Sequence, residues 1–137
     1  MPSIYSSITG TGSYIPKRKI KNDYFLENEF LETNGTPVKR NNEVIVQKFE
    51  AITTIAERRY IEPGLLTSDM AASASEKAIE SAGIDRESLD YIIVAHNFGD
   101  VSEAFQQVDI LPTLAARVKH KLGIENPFCV AYDLPFG

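Results

Sequence analysis

A chain of 137 residues, 43% apolar and 24% charged, has the length and mixture of one soluble globular domain with a core of its own. Its net charge of -5 argues against nucleic acid, whose binders carry a basic field, and no apolar run approaches the roughly 20 residues of a membrane helix. The lone Cys129 allows no internal disulfide and has no ligand-like spacing to His96 or His120, so no structural metal is expected. The start, MPSIYSSITG, lacks the basic segment and apolar core of an export signal, and a reducing cytoplasm is the expected compartment.

In chain order, Ile4 to Ile8 alternates and runs into Gly10 and Gly12, which predicts a strand and then a turn ending at Pro16. The basic run Lys17 to Lys21 reads as a solvated loop. From Asn22, which is placed to cap it, a helix is predicted on Tyr24, Phe25, Phe30 and Leu31, ended by Asn34-Gly35 and Pro37. Residues 36–42 read as a loop. Val44 to Ala51 reads as a second helix on the spacing of Val44, Gln47, Lys48 and Ala51, although Val44-Ile45-Val46 also suits a strand. The triplet Glu57-Arg58-Arg59 reads as salt-bridged surface in preference to a functional ion cluster.

The second half is more strongly patterned. Thr67 or Ser68 is expected to cap a helix with Asp69 in its first turn and Gly83 at its end. Its inner face, Ala71, Ala74, Ala78, Ile79 and Ala82, is small enough to pack closely on a sheet. Tyr91 to Ala95 is a continuous apolar run, which predicts a strand covered on both faces. Pro112 is expected to begin a helix carrying Leu111, Leu114, Ala115, Val118 and Leu122 on one face and stopping at Gly123. Phe128 to Leu134 reads as the next buried strand. Strand, helix, strand, helix, strand is the order of an α/β sheet with helices on its faces. An apolar strand with no polar tail behind it is expected either to be an edge tucked against something else or to belong to the front part of a longer protein.

Candidate chemistry is sparse. Thr9-Gly10-Thr11-Gly12-Ser13 has the outline of a dinucleotide-binding turn, but Ile15 stands where a third glycine is needed and Pro16 follows, so a plain turn is preferred. Cys129, inside an apolar strand, is expected to be a buried small hydrophobe and a poor nucleophile. His96 ends a strand, where α/β sites gather, and is the better placed of the two histidines. No Ser or Cys nucleophile motif accompanies it, so the expected role is structural or one of supporting a neighbouring site residue. His120 shares its helix with Arg117, Lys119 and Lys121 and reads as solvated.

Five stretches, ITGTGSYIP, IAERRYIE, SDMAASASEKAIESAGIDRESLDYIIVAHN, LPTLAARVKHKLGI and VAYDLPFG, together resemble the N-terminal part of a 3-oxoacyl-acyl-carrier-protein synthase III. The resemblance implies part of a thiolase-like fold, in which two α/β halves form an α-β-α-β-α sandwich. It implies an acyltransferase of fatty-acid or related chain synthesis, joining an acyl primer to malonyl-acyl carrier protein by decarboxylative Claisen condensation. A related acyltransferase, such as a hydroxymethylglutaryl-coenzyme A synthase or a polyketide starter enzyme, and a non-catalytic binding module remain alternatives. Implied partners are acyl carrier protein, an acyl thioester of coenzyme A or of the carrier, and a second copy in a homodimer; no cofactor is implied.

The resemblance puts the nucleophilic cysteine directly after Gly137 and its His and Asn partners further on, so none of residues 1–137 is expected to be catalytic and the chain alone is expected to be inactive. Leu111 matches a residue that helps close the partner's acyl pocket, which makes it the one expected substrate-binding residue. Where shorter relatives stack a Trp and an Arg on adenine, this sequence has Lys48 and Ile52, and delivery of the primer by a carrier protein is the more natural expectation. The stretches 26–49 and 97–110 are longer than in those relatives.

Overall fold

A computed structural model of the chain describes residues 5–102 and 107–136. In order these form β1 (Arg18–Lys21), α1 (Asn42–Thr53), β2 (Glu57–Tyr60), α2 (Thr67–Ala82), β3 (Tyr91–His96), β4 (Asp100–Val101), β5 (Val108–Asp109), α3 (Leu114–Lys121) and β6 (Val130–Pro135). Two compact units result, one from Pro16–Glu62 and one from the described residues on either side of it.

The larger unit is organised around β3 and β6, which run parallel in register from Tyr91 opposite Val130 to His96 opposite Pro135. Parallel neighbours need a long crossover, and α3 lies within it. Its buried face (Ala115, Val118), with Leu122 just beyond the helix, packs with Ile92, Ile124 and Cys129, and Ala71 and Ile79 of α2 flank this core. Gly123 ends α3 with φ 66°, as its sequence position predicts. The predicted start moves by two residues: Thr113, whose Oγ1 accepts from the Ala116 N–H at 3.2 Å, is the cap, and Pro112 lies outside the helix.

The expectation that β3 and β6 are covered on both faces is corrected. Alternate residues Ile92 and Val94 meet the core, while Tyr91, Ile93, Tyr132 and Leu134 are half exposed or more on the other face. Cys129 immediately precedes β6 and is 2% exposed, and Phe128, expected in the buried strand, is open to solvent.

Helix α2 has the predicted extent, and Gly83 closes it in the left-handed conformation. Its cap differs. Leu66 holds the N-cap position, and Asp69 reaches back to accept its N–H at 2.8 Å, half of a capping box. The strand expected at Ile4 to Ile8 is absent among the described residues 5–8, and Ile4 lies outside them. Instead of pairing with a strand, this segment continues over the alanine stripe of α2. A Cβ on Gly12 would fall 2.2 Å from the Ala74 carbonyl oxygen, and one on Gly10 2.5 Å from that of Ala78. The small residues of α2 therefore admit a glycine backbone at this face.

In the smaller unit β1 and β2 are antiparallel, with Ile20 opposite Arg58. Both were unexpected: the basic run read as a loop is a strand because it has this partner, and Ile20 is its one buried side chain. Glu57 bridges Lys19 at 3.5 Å and Arg59 at 3.6 Å, the salt-bridged surface the triplet predicts. The helix expected from Asn22 to Leu31 is only a 3-10 turn over Asn22–Glu27, and Asn22 does not cap it. Its amide is already used, donating to the Ile55 carbonyl at 2.9 Å and accepting from Arg58. Helix α1 forms where expected but is turned: Asn42, Ile45, Val46 and Phe49 are its less exposed residues, whereas Val44 and Lys48 are exposed. Phe49 meets Phe25 and Phe30 edge to face, which fixes that rotation.

Candidate functional site

The carboxyl ends of parallel strands are where α/β folds place their chemistry, and β3 and β6 both end at His96 and Pro135. His96 Nδ1 accepts the Gly99 N–H at 2.9 Å, which leaves Nε2 as the protonated nitrogen facing Asp133 Oδ2 at 3.0 Å. The imidazole thus has a partner at each ring nitrogen. Asp133 is its counterpart, which no motif in the sequence marks. Its carboxylate also accepts the Leu114 and Ala115 N–H groups at 2.7 Å each, at the positive end of α3. Directly after β6, Phe136 takes φ 58°, a left-handed conformation costing a bulky residue about 1 kcal/mol or more. Its N–H donates to the His96 carbonyl at 2.8 Å, so the end of β6 is tied down in this strained turn.

Burial pushes the Asp133 carboxyl up, but the Ala115 and Leu114 N–H groups and His96 outweigh it and hold the group below the usual carboxylate value. A depressed folded value means stabilisation that is present above the unfolded value of about 3.9 and is lost as pH falls through the folded one. Asp133→Asn is expected to cost about 1–3 kcal/mol at pH 7 and progressively less toward pH 3. Urea midpoints measured at several pH values check this, and a gap independent of pH would contradict it.

A second polar cluster lies beside this end. Asp100, 2% exposed, accepts from the Ser68 N–H and hydroxyl at 2.8 Å each and from Arg117 Nη1 at 3.2 Å. Arg117 continues to Asp109 at 2.8 Å and to the Leu111 and Pro112 carbonyls at 2.9 Å. The Asp109 carboxyl is held below its usual value chiefly by Arg117. The sequence pattern offers Ser68 only as a helix cap and Arg117 only as part of a charged helix, and it leaves Asp100 unassigned; the signal available is a charged residue soon after an apolar strand.

The remaining predicted residues separate. Leu111 is 77% exposed, at the turn that Arg117 holds. Cys129 is at the opposite, amino-terminal end of β6 from His96. His120 is exposed on α3. Lys48 and Ile52 line one groove of the smaller unit, about 430 Å³, with Phe30, Val38, Arg40 and Phe49. Among the described residues no group of His, Cys, Asp and Glu could hold a metal ion, and no helix is long and apolar enough to cross a membrane.

Solved structures share this fold. The priming β-ketosynthase of the R1128 polyketide biosynthetic pathway is 27% identical, with a TM-score of 0.68 over 93% of this chain and 31% of its own. The 3-oxoacyl-acyl-carrier-protein synthase III of Aquifex aeolicus is 26% identical, with a TM-score of 0.64 over 93% of this chain and 34% of its own. A 3-oxoacyl-acyl-carrier-protein synthase from Burkholderia xenovorans, 21% identical, shares the fold with a TM-score of 0.69 over 93% and 30%. No protein-family model matches the chain. The fold is therefore that of part of a thiolase-like α/β enzyme, and the chain spans about a third of the length of the structures it matches. Within that class it resembles 3-oxoacyl-acyl-carrier-protein synthase III, and its solved relatives are condensing enzymes.

Proposed function

We propose that residues 1–137 are the N-terminal part of a synthase III-type condensing enzyme that joins an acyl primer to malonyl-acyl carrier protein by decarboxylative Claisen condensation. The observation that carries this reading is the 26% identity to a 3-oxoacyl-acyl-carrier-protein synthase III over 93% of the chain. In it the nucleophilic cysteine follows Gly137 in the complete protein, at the strand end where β6 makes its strained turn. A helix start there lowers a thiol's pKa and raises the thiolate fraction. Leu111 contributes to the acyl pocket of a partner subunit in a cytoplasmic homodimer, and acyl carrier protein delivers the malonyl unit. Cys129, buried with the core and at the other end of β6, takes no part.

The test is to incubate the full-length protein and the 137-residue chain with an acyl primer on coenzyme A and, separately, on acyl carrier protein, and to locate the acyl group by mass spectrometry. The expected result is a thioester on a cysteine beyond residue 137 in the full-length protein, none on the short chain, and slow labelling of Cys129 by bulky thiol reagents. Acyl transfer to Cys129 in either would sink the assignment. The 27% identity to a priming ketosynthase favours a second reading, a starter enzyme for polyketides. Comparing turnover with fatty-acid and polyketide carrier proteins separates the two.

A further inference from the structure

Leu111 presents an unusual combination: its side chain is 77% exposed, yet the backbone carrying it is held at several points by one residue. The Arg117 guanidinium donates from Nε to the Pro112 carbonyl and from Nη2 to the Leu111 carbonyl, each at 2.9 Å. Nη2 also pairs with Asp109 at 2.8 Å, and Nη1 reaches Asp100, which is itself fixed to the first turn of α2 through Ser68. The turn at 109–112 is thus tied to two helices through a planar fork of donors. An apolar side chain on a backbone already ordered loses little freedom when it meets a ligand, which is what a fixed pocket wall requires.

We infer that Arg117 is a positioning residue that sets which primer lengths the enzyme accepts, by fixing where Leu111 stands against the acyl chain. The inference rests on the condensing-enzyme reading above. It does not require Arg117 to touch substrate. Lysine keeps the positive charge beside Asp100 but, as a point donor, cannot serve Asp100, Asp109 and both carbonyls at once, so Arg117→Lys loosens the turn without leaving a buried carboxylate unpaired.

The experiment measures kcat/KM of the full-length protein with straight-chain acyl primers of increasing length, carried on coenzyme A and on acyl carrier protein, and malonyl-acyl carrier protein. Each methylene gained or lost against an apolar wall is worth roughly fourfold. Arg117→Lys is expected to change the ratio of long to short primers by about tenfold, in the same direction as Leu111→Ala, and the double variant is expected to add little. Hydrogen exchange supplies a readout independent of activity: amides at 109–111 exchange faster in Arg117→Lys, while those of β3 and β6 do not change. Should Arg117→Lys fail to fold, Asp109→Ala, at a more exposed carboxylate, is expected to shift the ratio by about threefold. An unchanged primer ratio in a folded, active variant overturns the inference alone. A full-length wild type that condenses no primer overturns the functional reading and this inference with it.

Discussion

Gly12→Ala is expected to lower the thermal midpoint of the chain by roughly 10 °C, the equivalent of about 3 kcal/mol. The added Cβ would lie 2.2 Å from the Ala74 carbonyl oxygen and 2.5 Å from the Ala78 nitrogen. Both are backbone atoms of α2, hydrogen-bonded within the helix, so neither rotates away as a side-chain tip could. The chain around residue 12 must lift from the helix instead. That movement also breaks the 2.8 Å hydrogen bond from Lys77 Nζ to the Ser13 carbonyl. Gly10→Ala should behave similarly, with 2.5 Å approaches to the Ala78 oxygen and Ala82 nitrogen. Gly35→Ala is the control: nothing lies within 4 Å of its Cβ, so only the strain of φ 80° remains, about 1 kcal/mol. Thermal unfolding of the three variants decides the matter, and equal losses at Gly12 and Gly35 would show that the close approach to α2 carries no energy.

The elements legible in the sequence are those whose cause is local. The alanine stripe and Gly83 delimit α2, the step from Leu114 to Leu122 marks α3, and the runs at Tyr91 and Val130 mark a parallel pair. Each signal lies within the element it describes. Strands β1 and β2 were missed because RKIK and ERRY carry almost no apolar pattern, and their pairing joins residues about 40 positions apart, from Arg18 with Tyr60 to Lys21 with Glu57. Asn22 was misread for a related reason: a good capping residue in sequence is consumed by Arg58 and Ile55 from far along the chain.

The site divides in the same way. His96 is legible because it ends an apolar run, and strand ends are where sites form. Asp133 is not, since its neighbours Leu134 and Tyr132 make it look like an interruption of a strand. Its role exists only once α3 brings the Leu114 and Ala115 N–H groups, 19 and 18 residues earlier, to its carboxylate. The alternation of β6 explains why a charge is tolerated there: Asp133 shares the face of Ala131, toward α3, while Tyr132 and Leu134 are on the other.

Asp100→Ala is expected to cost about 3–5 kcal/mol, a large share of the roughly 5–15 kcal/mol that holds a domain of this size together. Asp100 and Ser68 are 2% and 0% exposed, so water cannot replace what the carboxylate provides. Its removal leaves the Ser68 N–H and hydroxyl without an acceptor, each worth about 1–3 kcal/mol when buried and unmade. Arg117 loses one partner but keeps Asp109 and two carbonyls, so the larger part of the cost falls on the start of α2. Asp100→Asn should cost less, about 2 kcal/mol, because its oxygen still accepts the Ser68 N–H while its amide faces the donor on Arg117. Ser68→Ala should cost about 1 kcal/mol, since the backbone N–H and Arg117 continue to satisfy the carboxylate. The order Ala at 100, then Asn at 100, then Ala at 68, read from denaturant midpoints, is the signature of a buried acceptor whose donors have no alternative. A loss below 1 kcal/mol for Asp100→Ala would mean that water reaches Ser68, and that the link from α2 through Asp100 to Arg117 is weaker than its distances imply.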